Sequence, residues 1–169
     1  MRDKLTGANL TNATLNASAL SVATLTGANL TGANLTGARA DGASFADAVG
    51  LTRSQVLSLN HNWSSTVLAG TGVDLSGVDF AAGTYTLVGA DLSGLNLSAA
   101  TLTGRDLTNA SFAGTNLSGA NVTGAVFAGS MKLAGANLSN AVGLTGVSLF
   151  ASLDWTNLDV ANTGVDLSG

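Results

Sequence analysis

A period of five residues runs through most of the chain and constrains its fold more than any other feature. Residues 25–38 read LTGANLTGANLTGA, in which Leu-Thr-Gly-Ala-Asn recurs. An α-helix repeats every 3.6 residues and a strand every 2, so neither repeats at five. Because a sequence repeat decides the architecture before any local prediction, every fifth residue must occupy an equivalent place in the fold.

Two long runs carry this repeat, written A-[N/D/T]-L-[T/S]-G and centred on its large apolar residue. The first run has the centres Leu5, Leu10, Leu15, Leu20, Leu25, Leu30, Leu35, Ala40 and Phe45. The second has Leu75, Phe80 and Tyr85, then, after a shift of two residues, Leu92, Leu97, Leu102, Leu107, Phe112, Leu117, Val122 and Phe127. One more residue is inserted before Leu133 and Leu138.

Each five-residue unit predicts one side and one corner of a coil. In extended chain Ala28 and Leu30 point to the same side, while Asn29 between them points away. The Thr-Gly that follows must turn the chain, and Gly supplies the positive φ that many turns require. If each corner turns by about 90°, four units close a square coil, and the next coil stacks on it at roughly 4.8 Å. The period therefore predicts a β-solenoid.

The pattern A-[D/N]-L-x-x, as in residues 8–12 and 90–94, resembles the pentapeptide repeat family. The resemblance covers about two thirds of the chain. It implies an all-β fold, a right-handed quadrilateral parallel β-helix, here with short insertions. The handedness rests on this resemblance alone.

Centre residues are expected to stack in columns inside the tube, where burying one Leu contributes about 2 kcal/mol. Stability should then grow coil by coil, as in other one-dimensional arrays. Two tryptophans, Trp63 and Trp155, are expected to close the insertions. The other predicted core residues are Leu10, Leu30, Leu35, Phe45, Leu75, Phe80, Leu97, Leu107, Phe112, Leu117 and Phe127.

Residues 48–77 interrupt the period of five between the two runs. Thr52-Arg53-Ser54-Gln55 has the spacing of a capping box, which predicts a short helix over residues 53–59. Trp63 is then expected to help cover the end of a coil. The predicted organisation is one continuous solenoid, divided into repeat coils at 1–47, an insertion at 48–72, repeat coils at 73–140, and a final segment at 141–169.

That final segment repeats the insertion with one deletion. Ala-Val-Gly-Leu-Thr opens both copies, Trp155 matches Trp63, and Thr-Gly-Val-Asp-Leu-Ser-Gly closes both. The sequence therefore contains a superrepeat of about 92 residues, and we expect the chain to be part of a longer tandem array.

The composition argues against catalysis and cofactor binding. The chain has no Cys and no Glu, and its only imidazole is His61, so these residue types cannot assemble a metal-ligand cluster. We interpret His61 as a packed or solvated loop residue. The recurring glycines lack the Gly-Lys-Ser/Thr ending of a phosphate loop. The sequence predicts no enzyme, no cofactor and no metal.

The predicted function is that of a noncatalytic structural or scaffold solenoid. Its six basic and ten acidic residues form no run, so direct nucleic-acid binding is not expected. No stretch approaches the roughly 18 apolar residues of a membrane span. Bare solenoid ends expose strand edges, which predicts self-association end to end, or assembly into a larger surface or filament. The low charge and the lack of Cys are compatible with an extracellular or cell-surface setting, and the family resemblance implies a prokaryotic source.

Three alternatives remain open. Some members of the resembled family mimic DNA and bind a type II topoisomerase (gyrase); this needs dense acidic columns, whereas Asp74, Asp79, Asp91 and Asp106 stand among neutral residues. A second alternative is a regular Thr/Ser surface for adhesion or ice binding, although Thr and Ser also suit exposed positions near turns. A third is an interaction module whose specificity lies in the two insertions.

Overall fold

The computed structural model describes residues 4–145 and 156–164, which form a four-sided tube of stacked coils. Each side is a short extended segment whose middle residue makes a parallel β-bridge to a neighbouring coil, as Asn9 does to Asn29. The successive coils are coil 1 at 4–22, coil 2 at 24–42, coil 3 at 44–65, coil 4 at 67–89, coil 5 at 91–109, coil 6 at 111–129, and coil 7 from 131 onward. The predicted all-β solenoid is confirmed.

Sides that lie over one another form four faces, named here by their bridged residues. Face 1 consists of Lys4, Thr24, Ser44, Val67, Asp91, Ser111 and Lys132. Face 2 consists of Asn9, Asn29 and Val49 and, after a break, Asp74, Asn96, Asn116, Asn137 and Asp159. Face 3 consists of Thr14 and Asn34 and, after a break, Asp79, Thr101, Asn121 and Val142. Face 4 consists of Ala19 and Arg39, then Asn62 and Thr86, then Asp106 and Val126.

Backbone hydrogen bonds between coils satisfy the polar groups of each side. The Leu10 N–H donates to the Asn29 carbonyl at 2.8 Å, and the Asn29 N–H donates back to the Ala8 carbonyl at 2.9 Å. Each corner closes on itself as well, since the Ala13 N–H donates to the Leu10 carbonyl at 3.0 Å. This pairing lets so short a side remain extended, because it gives partners to backbone groups that point away from water.

The corners require positive φ, and glycine is not the only residue that supplies it. Gly32 has φ 67°, but Asn12 at the equivalent corner of coil 1 has φ 58°, and Ala17 and Val22 are likewise positive. Asn tolerates this conformation better than Ala or Val do, since a Cβ beside the carbonyl oxygen costs energy there. The stacking of whole coils thus stabilises Ala17 and Val22 in a left-handed backbone conformation that Ala and Val disfavour.

The apolar core fills the interior of the tube along its length. Most predicted core residues lie within it with at most 6% of their surface exposed: Leu30, Leu35, Phe45, Trp63, Leu75, Phe80, Leu97, Leu107, Phe112, Leu117 and Phe127. Leu10 is only partly buried, because coil 2 covers coil 1 from one side. Trp155 lies outside the described residues.

The register assigned to coil 4 by the sequence is wrong in one place. Thr86 makes the face 4 bridge, so Leu87, which is 1% exposed, is the centre residue, and Tyr85 takes the position of the small residue. The shift of two residues therefore falls between Phe80 and Leu87. A longer turn over residues 81–84 accommodates the two extra residues, and the N–H groups of Ala81 and Ala82 in it both donate to one Asp79 carboxylate oxygen.

The single helix of the described residues, α1, spans Arg53–Ser58. The predicted capping box is present: the Thr52 N–H donates to Gln55 Oε1 at 2.8 Å, and the Gln55 N–H donates to Thr52 Oγ1 at 3.3 Å. The expectation that Trp63 covers the end of a coil is wrong. Trp63 follows the bridged Asn62 and is fully buried as a centre residue of face 4, because the chain resumes the solenoid directly after α1.

The duplicated segment enters the tube at two different faces. In the first copy Val49 bridges Asn29 on face 2, whereas in the second copy Val142 bridges Asn121 on face 3. The second copy of the segment therefore begins one face further around the tube than the first. A second described pair of equivalent residues shows the same shift, since Val67 lies on face 1 and Asp159 on face 2.

Candidate interaction surfaces

Helix α1 takes the place of the side that coil 3 would contribute to face 3. The Ala33 carbonyl of coil 2 thereby loses its usual ladder partner, and the side-chain amide of Gln55 donates to it at 2.9 Å. The same amide donates at 2.9 Å to the Leu30 carbonyl, which also accepts the Ala33 N–H of its own corner at 3.0 Å. The Gly37 N–H donates to the Ser58 carbonyl at 2.7 Å. Leu51, Val56 and Leu59 fill the interior beneath the helix; α1 is thus anchored firmly to coil 2.

An open groove of about 620 Å³ runs beside α1 and is lined by Arg53, Ser54, Leu57 and Ser58. The Arg53 guanidinium is exposed and donates to the Ser76 carbonyl of coil 4 at 2.8 Å. The lining offers one permanent positive charge, two hydroxyls and one apolar side chain. These groups can bind a ligand, but they include no general base or metal ligand.

Three large side chains occupy the small-residue position of face 4 in successive coils: His61, Tyr85 and Arg105. The His61 and Tyr85 rings are stacked, with centroids 4.2 Å apart. Tyr85 also meets Trp63 and Phe80 edge to face, at 5.3 Å each. Burial raises the pKa of the Tyr85 hydroxyl. His61 is therefore part of a packed aromatic cluster, and its Nδ1 lies 3.5 Å from the Thr84 hydroxyl.

Arg105 replaces backbone pairing where face 4 is interrupted between coils 4 and 5. Thr86 and Asp106 make no bridge to each other, and the Arg105 guanidinium donates instead to the carbonyls of Gly83 and Tyr85, at 3.2 and 3.3 Å. Its Nε is buried without a hydrogen-bond partner. Sequence reasoning missed this role, although an Arg at a position that elsewhere holds Ala was the signal for it.

The carboxylates singled out in the sequence are distributed around the tube. Asp91 lies on face 1, Asp74 on face 2, Asp79 on face 3 and Asp106 on face 4. Asp74 accepts a hydrogen bond from the Ser76 N–H at 2.9 Å, and the Ser76 backbone and hydroxyl hold its pKa below the usual value. These four charges therefore form no acidic column on one face.

Some of the hydroxyls that follow the centre residues donate to an Asn side chain at the same corner. Thr31 Oγ1 donates to Asn29 Oδ1 at 2.7 Å, and Thr123 Oγ1 donates to Asn121 Oδ1 at 2.7 Å. The same Asn oxygens accept the backbone N–H two residues on. Such bonds stabilise turns; they leave these Thr hydroxyls less free to order a regular layer of water.

The lower edge of coil 1, the edge facing away from coil 2, is unpaired among the described residues. The N–H groups of Asn9, Thr14 and Ala19 have no acceptor within residues 4–145 and 156–164, whereas the Asn29 and Asn34 N–H groups of coil 2 donate to coil 1. Leu5, Leu10 and Leu15 are partly exposed at this edge. The edge therefore presents backbone N–H groups without acceptors around partly exposed leucine side chains.

Residues 4–145 and 156–164 present neither a metal-binding cluster nor a membrane-spanning helix. There, no three His or Asp side chains come close enough together to hold a metal ion. No helix in that part of the chain is long and apolar enough to cross a membrane.

Comparison with known proteins relates the chain to a family of repeats. The family model of pentapeptide repeats matches eight copies, over residues 4–39, 90–129 and 106–142. No curated protein sequence matches the chain significantly.

Solved structures with a similar fold include HetL, a pentapeptide repeat protein involved in heterocyst differentiation regulation from the cyanobacterium Nostoc sp. strain PCC 7120. It is 21% identical, with 99% of this chain and 88% of that chain covered and a TM-score of 0.41. QnrB1, a plasmid-mediated fluoroquinolone resistance protein, is 17% identical, with coverage of 94% and 80% and a TM-score of 0.45. A pentapeptide repeat protein from the Arabidopsis thaliana thylakoid lumen is 30% identical, with coverage of 73% and 68% and a TM-score of 0.32.

Proposed function

The chain belongs to the pentapeptide repeat family and adopts its right-handed quadrilateral β-helix, and on that premise we propose that it is a noncatalytic structural scaffold that self-associates end to end. Members of a fold family can differ in function, so the proposal must rest on surfaces of this chain. The surface that supports it is the unpaired lower edge of coil 1.

This edge offers a further coil both apolar surface and backbone donors. Leu25, Leu30 and Leu35 are at most 1% exposed, while their counterparts one coil below, Leu5, Leu10 and Leu15, remain partly exposed. Adding a coil below would bury those three leucines and give partners to the N–H groups of three sides. Exposed strand edges of this kind are templates for pairing with another chain.

A second copy of this chain is the occupant that fits best. The edge presents open pairing groups on several sides of a square at once, and a four-sided coil of the same geometry would satisfy them together. Each copy carries such coils. A head-to-tail contact of this type does not close on itself, so it propagates into a filament or joins a larger assembly.

The geometry gives less support to the alternatives. Mimicry of DNA, with a topoisomerase as partner, needs charge concentrated along one face, but Asp74, Asp79, Asp91 and Asp106 lie on four faces. A regular hydroxyl surface needs free hydroxyls, but those of Thr31 and Thr123 donate to neighbouring Asn side chains.

The test is electron microscopy and mass photometry of the purified chain over a concentration series. We expect rods that lengthen at constant width as concentration rises. A double substitution, Asn9→Pro with Thr14→Pro, should abolish this growth, because proline removes two open donors and places a ring at the edge. Neither N–H is hydrogen-bonded among the described residues of one chain, so proline breaks no backbone bond there. The bonds from Thr11 to Asn9 Oδ1 are lost as well, and the alanine control loses them equally.

The matched control is Asn9→Ala with Thr14→Ala, which changes the same side chains but keeps both N–H groups. It should elongate as the unmodified chain does. Monodisperse particles of one length at all concentrations would refute self-association. They would favour coils from a longer chain as the occupant of this edge.

A further inference from the structure

We propose that the solenoid contains a hinge between coils 3 and 4, which opens on faces 2 and 3 and is closed by the contact between Arg53 and Ser76. The hinge is a property of the single chain and goes beyond the proposed self-association. It follows from how unevenly the four faces connect these two coils.

Faces 1 and 4 join coils 3 and 4 by regular pairing. On face 1 Ser44 bridges Val67, and the Phe45 N–H donates to the Val67 carbonyl at 2.8 Å. On face 4 Asn62 bridges Thr86, with bonds of 2.9 Å in both directions between the backbones of the two coils. Two adjacent faces therefore form a continuous wall through the junction.

Faces 2 and 3 lack this pairing. Val49 is the last bridged residue of coil 3 on face 2, and among the described residues neither Asp74 nor Asp79 bridges anything below it. No backbone hydrogen bond joins residues 48–59 to residues 70–82 in the part of the chain that the structure describes. Between these segments the hydrogen bond from Arg53 to the Ser76 carbonyl, 2.8 Å long, takes the place of a ladder.

The insertion is tied much more strongly to coil 2 below it. The Val49 N–H donates to the Ala28 carbonyl at 2.9 Å, and Gln55 and Ser58 hold α1 to coil 2 by three further bonds. When the junction bends, α1 must therefore stay with coils 1–3. The part above, from coil 4 onward, moves about the corner that faces 1 and 4 share.

The hydrogen bond from Arg53 to the Ser76 carbonyl can stabilise the closed junction only weakly. The guanidinium is exposed and must compete with water for the Ser76 carbonyl, whereas the bonds of faces 1 and 4 are part of a cooperative ladder. Local opening follows the part of a structure where the fewest interactions must break. On this side of the junction no backbone hydrogen bond between residues 48–59 and 70–82 has to break.

Distances between paired spin labels test the hinge directly, because the chain has no Cys of its own. One double variant, Val49→Cys with Asn96→Cys, places labels on face 2 in coils 3 and 5. The matched control, Ser44→Cys with Asp91→Cys, places them on face 1 in the same two coils. Both are measured at a concentration where mass photometry finds monomers, so the result does not depend on self-association.

We expect a broad distance distribution for the face 2 pair and a narrow one for the face 1 pair. Adding Arg53→Ala should shift the face 2 pair to longer distances and leave the face 1 pair unchanged. Arg39→Ala, which removes an exposed Arg of coil 2, should change neither. Equally narrow distributions on both faces, insensitive to Arg53→Ala, would overturn the proposal, as would equal broadening of both pairs.

Discussion

The side-chain amide of Gln55 donates to the backbone carbonyl of Leu30 at 2.9 Å, joining the only helix of the described residues to a repeat coil. The same amide reaches the Ala33 carbonyl, while its oxygen completes the capping box with Thr52. The amide nitrogen of Gln55 thus donates to carbonyls at the edge of coil 2, while its oxygen caps the N-terminus of α1. These two functions can be separated by substitution.

Gln55→Ala should lower the free energy of unfolding by about 1–2 kcal/mol, because the Ala33 carbonyl loses its donor and the Leu30 carbonyl loses one of its two. Gln55→Glu is the informative comparison, since it keeps an oxygen for the capping box but cannot donate. We expect Glu to be at least as destabilising as Ala in urea-induced unfolding. If Gln55→Glu left the free energy of unfolding unchanged, the contribution of Gln55 would come from the capping box and not from its bonds to coil 2.

Leu30→Asp should disrupt the stacking of coils, since it places an unpaired charge in a fully buried position. We expect a loss of about 4 kcal/mol or more, seen as a lower midpoint of thermal unfolding followed by circular dichroism. Leu10→Asp is the matched control one coil below. Because Leu10 is only partly buried, its substitution should cost clearly less; equal losses would contradict the assigned burial.

Gly50→Ala should destabilise the chain more than Gly27→Ala. Both glycines have positive φ, 72° and 65°, so Ala costs about 1 kcal/mol at either position through backbone strain. A Cβ at Gly50 would in addition lie 2.8 Å from Thr31 Cα and collide with Thr31 Oγ1, whereas a Cβ at Gly27 meets nothing within 4 Å. Urea midpoints of the two variants measure the difference. Identical midpoints would argue against close contact of the two coils there.

Protonation of Asp74 should weaken the corner that it stabilises. The Ser76 N–H and hydroxyl lower the pKa of this carboxyl from its ordinary 3.8. A pKa lowered by folding contributes stability above the unfolded value, and this contribution is lost as the pH falls through the folded value. The unfolding midpoint of the unmodified chain should therefore fall below about pH 4 more steeply than that of Asp74→Asn, which keeps an acceptor for Ser76. Parallel curves would count against this role of Asp74.

The sequence determined the local architecture. The period of five is enough to predict a four-sided solenoid, because alternation within Ala-Asn-Leu sets what points inward and the corner residues must turn the chain. The capping-box pattern of Thr52 and Gln55 likewise predicted α1 from local sequence, since its two residues lie three apart in the chain. Such features depend only on neighbours in the chain.

Only the tertiary structure decided how the irregular segments meet the coils around them. That Leu87 and not Tyr85 is a centre, that Trp63 lies inside the core, and that Arg105 substitutes for a broken ladder all depend on coils about 20 residues apart. Nor does the sequence reveal that Val49 and Val142 lie on different faces. The face that a residue occupies depends on how many sides each insertion between them adds or omits. Stacking energy, rather than local preference, settles these positions, since each coil must pair with the one that it covers.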